Sequence, residues 1–391
     1  MVKSEDPDLC SELHEALASY DEFLYFPSIG WNHSWERQQT LIASFCHAHA
    51  PKRGLAIAPT GLIDYVPWHL SSVRYVFSQR AKLASASAVH TENERPTNLD
   101  YVTPRFARGT NPLFASLALL SDARLRAALI PRGRRLVFAS YVNPLVHRFL
   151  VTADCAILDL AERRQANDAL SDVMRQRERN WAARCDLLVA DNAATLADYS
   201  DDRVRAGKRP GHLIPQGVTS PVPAASTQNR QRVAAYLGNL HDAIDYDYFV
   251  GLIDQNPDWT FKLCGQPMSD QAERVLARPN VRYVGVISNA QIGEFLSEAA
   301  VGLIPYLRTA WTAGVFPTKL FEYLAHRIPV LSTSLPEVLR FAGPSFITIS
   351  NEADRLNPPT IDEQEIDAFV AEHTWQRRIQ TYAAAISEIS L

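Results

Sequence analysis

Short, mostly apolar runs alternate with longer segments of helical spacing along nearly the whole chain, and this alternation restricts the fold more than any other feature. In the first half the runs are EFLYFPS from Glu22, GLAIAPTG, NLDYVTP from Asn98, RRLVFASYV, DCAILDL, and DLLVAD from Asp186. Between them, SWERQQTLIASFCHAHA puts Leu41, Ile42 and Phe45 on one helical face. NPLFASLALLSDARLRAALIP reads as one helix, opened by Pro112 and closed by Pro131. ERRQANDALSDVMRQRERNWAARC reads as a long, charged amphipathic helix. Apolar strands separated by helices predict a parallel sheet covered on both faces.

The same pattern starts again after LIPQGVTSPVPAASTQNRQR, a stretch with Pro215, Gly217, Pro221 and Pro223 among small polar residues. VAAYLGN, WTFKLCG, NVRYVGV, VGLIPY, IPVLSTS and SFITIS then read as strands, with helices between most of them, and TWQRRIQTYAAAISEISL as a closing amphipathic helix. A chain of 391 residues exceeds one ordinary core. The predicted organisation is therefore two doubly wound α/β domains facing a cleft: 1–217, 218–372, and a terminal helix, 373–391, that crosses back to the first domain. In such sheets ligands sit beyond the carboxyl ends of the strands.

Composition removes several function classes. A net charge of −4 gives no global case for nucleic-acid binding. No two of the five cysteines have a CxxC spacing, which argues against a zinc site or a redox dithiol and fits a reducing compartment. The polar, acidic start lacks the apolar core of a signal peptide, and no apolar stretch would span a bilayer, so a cytoplasmic protein is expected. YLGNLHD lacks the later glycines of a dinucleotide fingerprint, and DYD at Asp245 begins a helix instead of ending a strand. A dehydrogenase and a metal-dependent transferase are both disfavoured, and no metal ligands or cofactor are expected.

The richest stretch is WTAGVFPTKLFEYLAHRIPVLSTSLPEV, Trp311 to Val338. Pro317 suits a first helical position, with Lys319 in the first turn and Glu322 on the same face. Leu320, Tyr323 and Leu324 lie on the opposite face and would pack on the sheet. Free N–H groups and a lysine favour an anion. A carboxylate at fixed offset suits a ribose diol. The same pattern would also describe a solvated surface pair. Its context is GLIPY and the loop LRTAWTAGVF, which bring Arg308, Thr309 and Thr312 to the same mouth.

PTKLFEYLAHRIPVLSTSLPEV resembles the donor-nucleotide segment of GT-B fold glycosyltransferases of the bacterial polysaccharide and cell-wall type, nearer to inverting glucuronosyltransferase-like members. NVRYVGVISNAQIGEFLSEAAVGLIPY, VAAYLGNLHDAIDYDYF, LVADNAATLADY, LIPQGV and the TWQRR helix are similar to further segments of those families, in order, over most of the chain after Asp154. The resemblance implies that a nucleoside diphosphate sugar is co-substrate and that a glycan or lipid-linked molecule is the acceptor. It implies that Glu322 holds the ribose hydroxyls and Lys319 the diphosphate. Gly238 and Asn239 would admit the donor phosphates, and Gly285 with Val286 would lie beside the base. Thr318 and Tyr306 join this donor set; apart from the resemblance, Arg308 at the same mouth is either a second diphosphate cation or a salt-bridged surface arginine.

The chain departs from that pattern in three places. Gly314 stands where retaining relatives carry a second glutamate, and NLHDAIDYD lacks their basic residue after the glycine turn. Both departures favour inversion. Arg327 replaces the usual glycine near the end of the helix.

Inversion needs a base for the acceptor hydroxyl. Asp159, at the end of DCAILDL, is the first candidate, with helix capping as its alternative role; Asp154, His33 and His147 are the others. Trp31, His33 and Arg37, in or just after SIGWNHSWERQ, are expected to contact the acceptor. Arg124, Arg126, Arg132, Arg134 and Arg135 form a basic stretch suited to anionic lipid at the inner face of the cytoplasmic membrane. Two other functions remain open: a sugar-nucleotide epimerase of the same architecture, and a non-catalytic relative that binds a nucleotide sugar or glycan.

Overall fold

The computed structural model describes residues 7–28, 37–50, 52–58, 96–104, 112–161, 163–166, 170–218 and 231–390. Thirteen strands are found among them: β1 (Glu22–Phe26), β2 (Gly54–Ile57), β3 (Leu99–Val102), β4 (Arg135–Ala139), β5 (Cys155–Leu160), β6 (Leu187–Ala190), β7 (His212–Leu213), β8 (Val233–Leu237), β9 (Thr260–Cys264), β10 (Val281–Tyr283), β11 (Val301–Ile304), β12 (Val330–Ser332) and β13 (Ile347–Ile349). They form two sheets, in the orders β3-β2-β1-β4-β5-β6-β7 and β10-β9-β8-β11-β12-β13. Every strand pairing in both sheets is parallel.

Each sheet runs outward from its first strand in both directions, which is the doubly wound Rossmann order. The order reverses between β1 and β4 in one sheet and between β8 and β11 in the other. β4, β5, β6 and β11 are buried at every position. That fits strands covered by helices on both faces, and it is why their sequences show no polar alternation.

The chain divides into two compact units, residues 1–215 with 378–391, and residues 216–377. The second unit is thus inserted between the body of the first and its last helix. Its two ends meet: Val218 N–H donates to His373 O at 3.0 Å, and Trp375 N–H to Val218 O at 3.0 Å. Gly217 packs so tightly there that a Cβ would lie 2.8 Å from Trp375.

The helix Trp375–Ser390 begins in the second unit, and its part in the first, from residue 378, brings Tyr382 against Phe45 and Phe138, with ring centroids 6.1 and 6.3 Å away. The expected single helix from Pro112 to Pro131 is in fact two, Pro112–Ser121 and Ala123–Ala128. The break falls at Asp122, whose carboxylate accepts from Arg124 N–H at 2.8 Å and caps the second helix. Pattern reading also missed the helices Pro7–Leu17 and Glu363–Glu372.

The helix Lys319–Ala325 ends on Arg327 at φ +55°, the only non-glycine residue with positive φ among those described. Arg327 N–H donates to Leu324 O, and Ile328 N–H to Tyr323 O, which is a Schellman closure. A side chain in this conformation costs roughly 1–2 kcal/mol. The Arg327 guanidinium meets Asp367 at 2.7 Å and Glu363 at 2.8 Å on the helix Glu363–Glu372, and glycine would forgo both contacts.

Candidate functional site

In the second unit, β8, β9 and β10 each run into a glycine. Gly238 follows β8 at φ +126°, and Gly265 follows β9 at φ +114°. The two turns are pressed together, since a Cβ on Gly265 would lie 2.1 Å from Gly238 O. Gly265 N–H donates to Gly285 O at 2.9 Å, just past β10. The result is a bare backbone ledge along the carboxyl edge of three adjacent strands. Gly238 and Gly285 were expected there. Gly265 was missed, and its signal was the glycine that closes WTFKLCG.

The helix Lys319–Ala325 is fixed beside this ledge by Tyr323. The Tyr323 hydroxyl accepts from Leu237 N–H at 2.8 Å and lies 3.2 Å from Ala235 O and 3.3 Å from Leu303 O. Tyr323 therefore joins β8 to β11 at the point where the strand order reverses. Gly302 on β11 leaves room for its ring, since a Cβ there would lie 2.3 Å from it.

This docking sets Lys319. Its side chain is 7% exposed, and its ammonium lies 4.0 Å from the Tyr236 ring centroid and 4.8 Å from that of Tyr306. A Cβ on Gly238 would lie 3.1 Å from the same nitrogen. Among the described residues the ammonium has no hydrogen-bond or ion-pair partner, and neither has the Glu322 carboxylate. The two are not paired with each other, so a solvated surface pair is not what the structure shows. Burial pushes the Glu322 carboxyl above its usual range. A buried cation and a half-buried acid on one short helix, both without a partner among the described residues, are suited to a ligand that brings acceptors for one and donors for the other.

His241 stands beside them. Its Nδ1 accepts from Ala243 N–H at 3.2 Å, so its proton is on Nε2, 3.3 Å from the Tyr306 hydroxyl. Burial, and next the Lys319 charge, lower its pKa to about 4, so it is neutral at physiological pH. Sequence reading passed over His241, which sits where the expected basic residue was missing.

The other donor candidates are less committed to this point. Asn239 Oδ1 accepts from Gln266 N–H at 2.9 Å, and Thr318 is exposed with no side-chain capping bond. Val286 is 40% exposed beside Gly285. Arg308 is exposed, with its guanidinium 3.5 Å from Ser334 Oγ. Thr309 and Thr312 close their own turn, with the Thr312 hydroxyl donating to Leu307 O at 2.5 Å. Gly314 is buried in that turn.

The first unit corrects three expectations. Asp159 is 1% exposed and Arg37 3%. Arg37 donates to both Asp159 oxygens, at 2.7 and 3.0 Å, and to Ile214 O at 2.9 Å. The Tyr382 hydroxyl donates to Asp159 at 2.9 Å. A carboxylate enclosed in this way has no open face for an acceptor hydroxyl, and Arg37 has none for an acceptor. Both residues belong to a buried network that ties β5, the segment before residue 216 and the last helix together. Arg135 also leaves the basic stretch, since it is buried against Glu22 at 2.6 Å. Trp31 and His33 lie outside the described residues. Among the described residues, no cluster of three His, Cys, Asp or Glu could hold a metal ion, and no helix is long and apolar enough to cross a membrane.

Residues 231–356 match the family model for Glycosyl transferases group 1. TuaH of Bacillus subtilis (strain 168), named for a glycosyltransferase role in teichuronic acid biosynthesis, is 26% identical over 210 residues, which cover 50% of this chain and 53% of TuaH. Among solved structures, HepE (Alr3699) of Anabaena in complex with UDP and glucose aligns at a TM-score of 0.54 and 13% identity, over 94% of each chain. Sucrose-phosphate synthase of Thermosynechococcus elongatus aligns at 0.56 and 13%, also over 94% of each. The two parallel sheets are thus those of the GT-B glycosyltransferase fold, and the second carries the sequence pattern of Glycosyl transferases group 1.

Proposed function

We propose that the chain transfers a sugar from a nucleoside diphosphate sugar to a hydroxyl of a glycan or lipid-linked acceptor, with inversion at the anomeric carbon. The observation that carries this reading is the unsatisfied pair Lys319 and Glu322 at the strand-order reversal of the second sheet. The family match over the same residues and the likeness to TuaH support it. In this reading the diphosphate rests on the Gly238 ledge against Lys319, and the ribose hydroxyls donate to Glu322. The acceptor hydroxyl oxygen bonds to the anomeric carbon and gives up its proton to solvent as the bond to the diphosphate oxygen breaks. The diphosphate leaves with the electron pair, and Lys319 and Arg308 stabilise its charge without a metal. Gly314, in place of a second glutamate, supports inversion.

A thermal-shift panel of nucleoside diphosphates tests the donor site. UDP comes first, because it is the nucleotide bound in HepE. Stabilisation by none of them removes the reading. Conversion of the sugar nucleotide without acceptor would indicate an epimerase. Binding without turnover on crude lipid acceptor would indicate a non-catalytic relative. The anomeric configuration of the product, read by NMR, decides between inversion and retention.

The exposed Arg124, Arg126, Arg132 and Arg134, with Leu120 and Ile130 71% and 72% exposed among them, support contact with anionic lipid. Equal sedimentation with anionic vesicles after all four are changed to glutamine would remove that contact.

A further inference from the structure

A groove of about 530 Å³ opens on the first unit, lined from the helices Pro144–Leu150 and Asp172–Arg184. At its wall Trp181 Nε1–H donates to His147 Nδ1 at 2.8 Å. That bond uses the Nδ1 lone pair, so the proton of the neutral ring is on Nε2, which has no partner among the described residues. Burial, then Arg184, Arg177 and Arg148, lower the pKa of the ring. His147 is therefore fixed as a donor.

Arg177, Asn180, Trp181 and Arg184 follow one another at helical spacing and all line the groove. The Arg184 guanidinium lies 4.2 Å from the Trp181 ring centroid. Neither Arg177 nor Arg184 has an acidic partner among the described residues, where the Arg177 side chain donates only to Met174 Sδ, at 3.4 Å. Their neighbours differ. Arg175 is paired with Asp172 at 2.6 Å and Arg179 with Asp202 at 2.8 Å, as are Arg163 with Asp198 and Arg164 with Glu178. Asp172, the one acid lining the groove, is thus already engaged. Gln176 Nε2 donates to Asn180 Oδ1 at 2.9 Å, which leaves the Asn180 amide as a further donor.

A chain that pairs the arginines around this helix has left two of them, a fixed imidazole donor and an amide directed at one groove with nothing to accept from them. We infer that the groove is a second binding site, separate from the donor site, for a sugar-sized ligand that carries an oxyanion, either carboxylate or phosphate. Guanidinium forks match both groups, and the volume lies within the range of small-molecule sites.

The test is calorimetric titration of the full chain with glucuronate, glucose 6-phosphate, inorganic phosphate and, as neutral control, glucose. At least one oxyanion ligand should bind where glucose does not, and the better of the two acidic sugars identifies the anion. The double variant Arg177→Gln/Arg184→Gln, shown by circular dichroism to be folded, should bind at least about tenfold more weakly, a loss of ~1.4 kcal/mol. In the wild type the Trp181 indole N–H resonance, assigned with Trp181→Phe, should shift on binding. Equal affinity in the variant, no binding at millimolar ligand, or binding only to phosphatidylglycerol vesicles would each overturn the inference.

Discussion

The Lys319 ammonium lies 4.0 Å from the centre of the Tyr236 ring and has no acceptor among the described residues. An aromatic face offsets part of the cost of a desolvated cation but supplies no hydrogen-bond acceptor. Lys319→Met keeps the stem and removes the charge. It should weaken binding of the nucleoside diphosphate about 10- to 100-fold, the range of a charge-assisted hydrogen bond, and leave binding of the bare nucleoside unchanged. Calorimetry with both ligands checks this.

Glu322 should trade stability for binding. Its carboxyl titrates above the ordinary glutamate value of 4.5 because of burial. The folded state therefore holds the proton more tightly than the unfolded state. The stability this gives is full below pH 4.5 and is lost as pH rises through the raised folded value. Glu322→Gln should be more stable than wild type near neutral pH, by about 1 kcal/mol, and the difference should close toward pH 4. The same variant should lose its thermal response to nucleotide. A variant less stable than wild type at pH 7 would count against an unsatisfied carboxylate.

Gly238→Ala should damage the site more than the fold. Its φ of +126° is strained for alanine, and the new Cβ would lie 3.1 Å from the Lys319 ammonium. A loss of about 1–3 kcal/mol in urea unfolding is expected from the backbone alone. Nucleotide affinity should fall further than in Lys319→Met, because the ledge and the cation are both displaced.

Asp159→Asn distinguishes a buried ion pair from a catalytic base. Removing the charge leaves Arg37 buried without its counter-ion, which costs about 3–5 kcal/mol. The loss should appear in denaturant unfolding, while turnover per folded molecule stays near wild type. Tyr382→Phe should give a smaller loss of about 1 kcal/mol and earlier hydrogen exchange in the last helix. A folded Asp159→Asn variant without turnover would restore the catalytic role.

Arg327→Ala keeps the strained backbone and removes both acidic contacts, so it should destabilise the chain by about 1 kcal/mol or more. Arg327→Gly removes strain and contacts together and should lie closer to wild type. Calorimetric melting of the pair measures which of the two terms is larger.

The two sheets could be read from the sequence because strands buried on both faces are apolar throughout, as in CAILDL and VGLI. The grip could be read as far as Lys319 and Glu322, since helical spacing fixes their common face. Spacing could not show that Tyr323 would bind three backbone groups across β8 and β11, or that Lys319 would be buried beside them. Asp159 misled for a related reason. A strand-end aspartate has the same local sequence whether it faces solvent or a distant arginine, and the partners here are 122 and 223 residues away. The break at Asp122 was hidden because apolar spacing continues through it, although an aspartate can cap a new helix at any position.

The hydrogen bonds between Val218 and residues 373 and 375 mean that the second unit begins and ends at one spot. It can be cut out as an uninterrupted piece without threading the chain a second time. The first unit needs only a short bridge across the gap that remains. Lys319, Glu322 and the Gly238 ledge all lie within that piece.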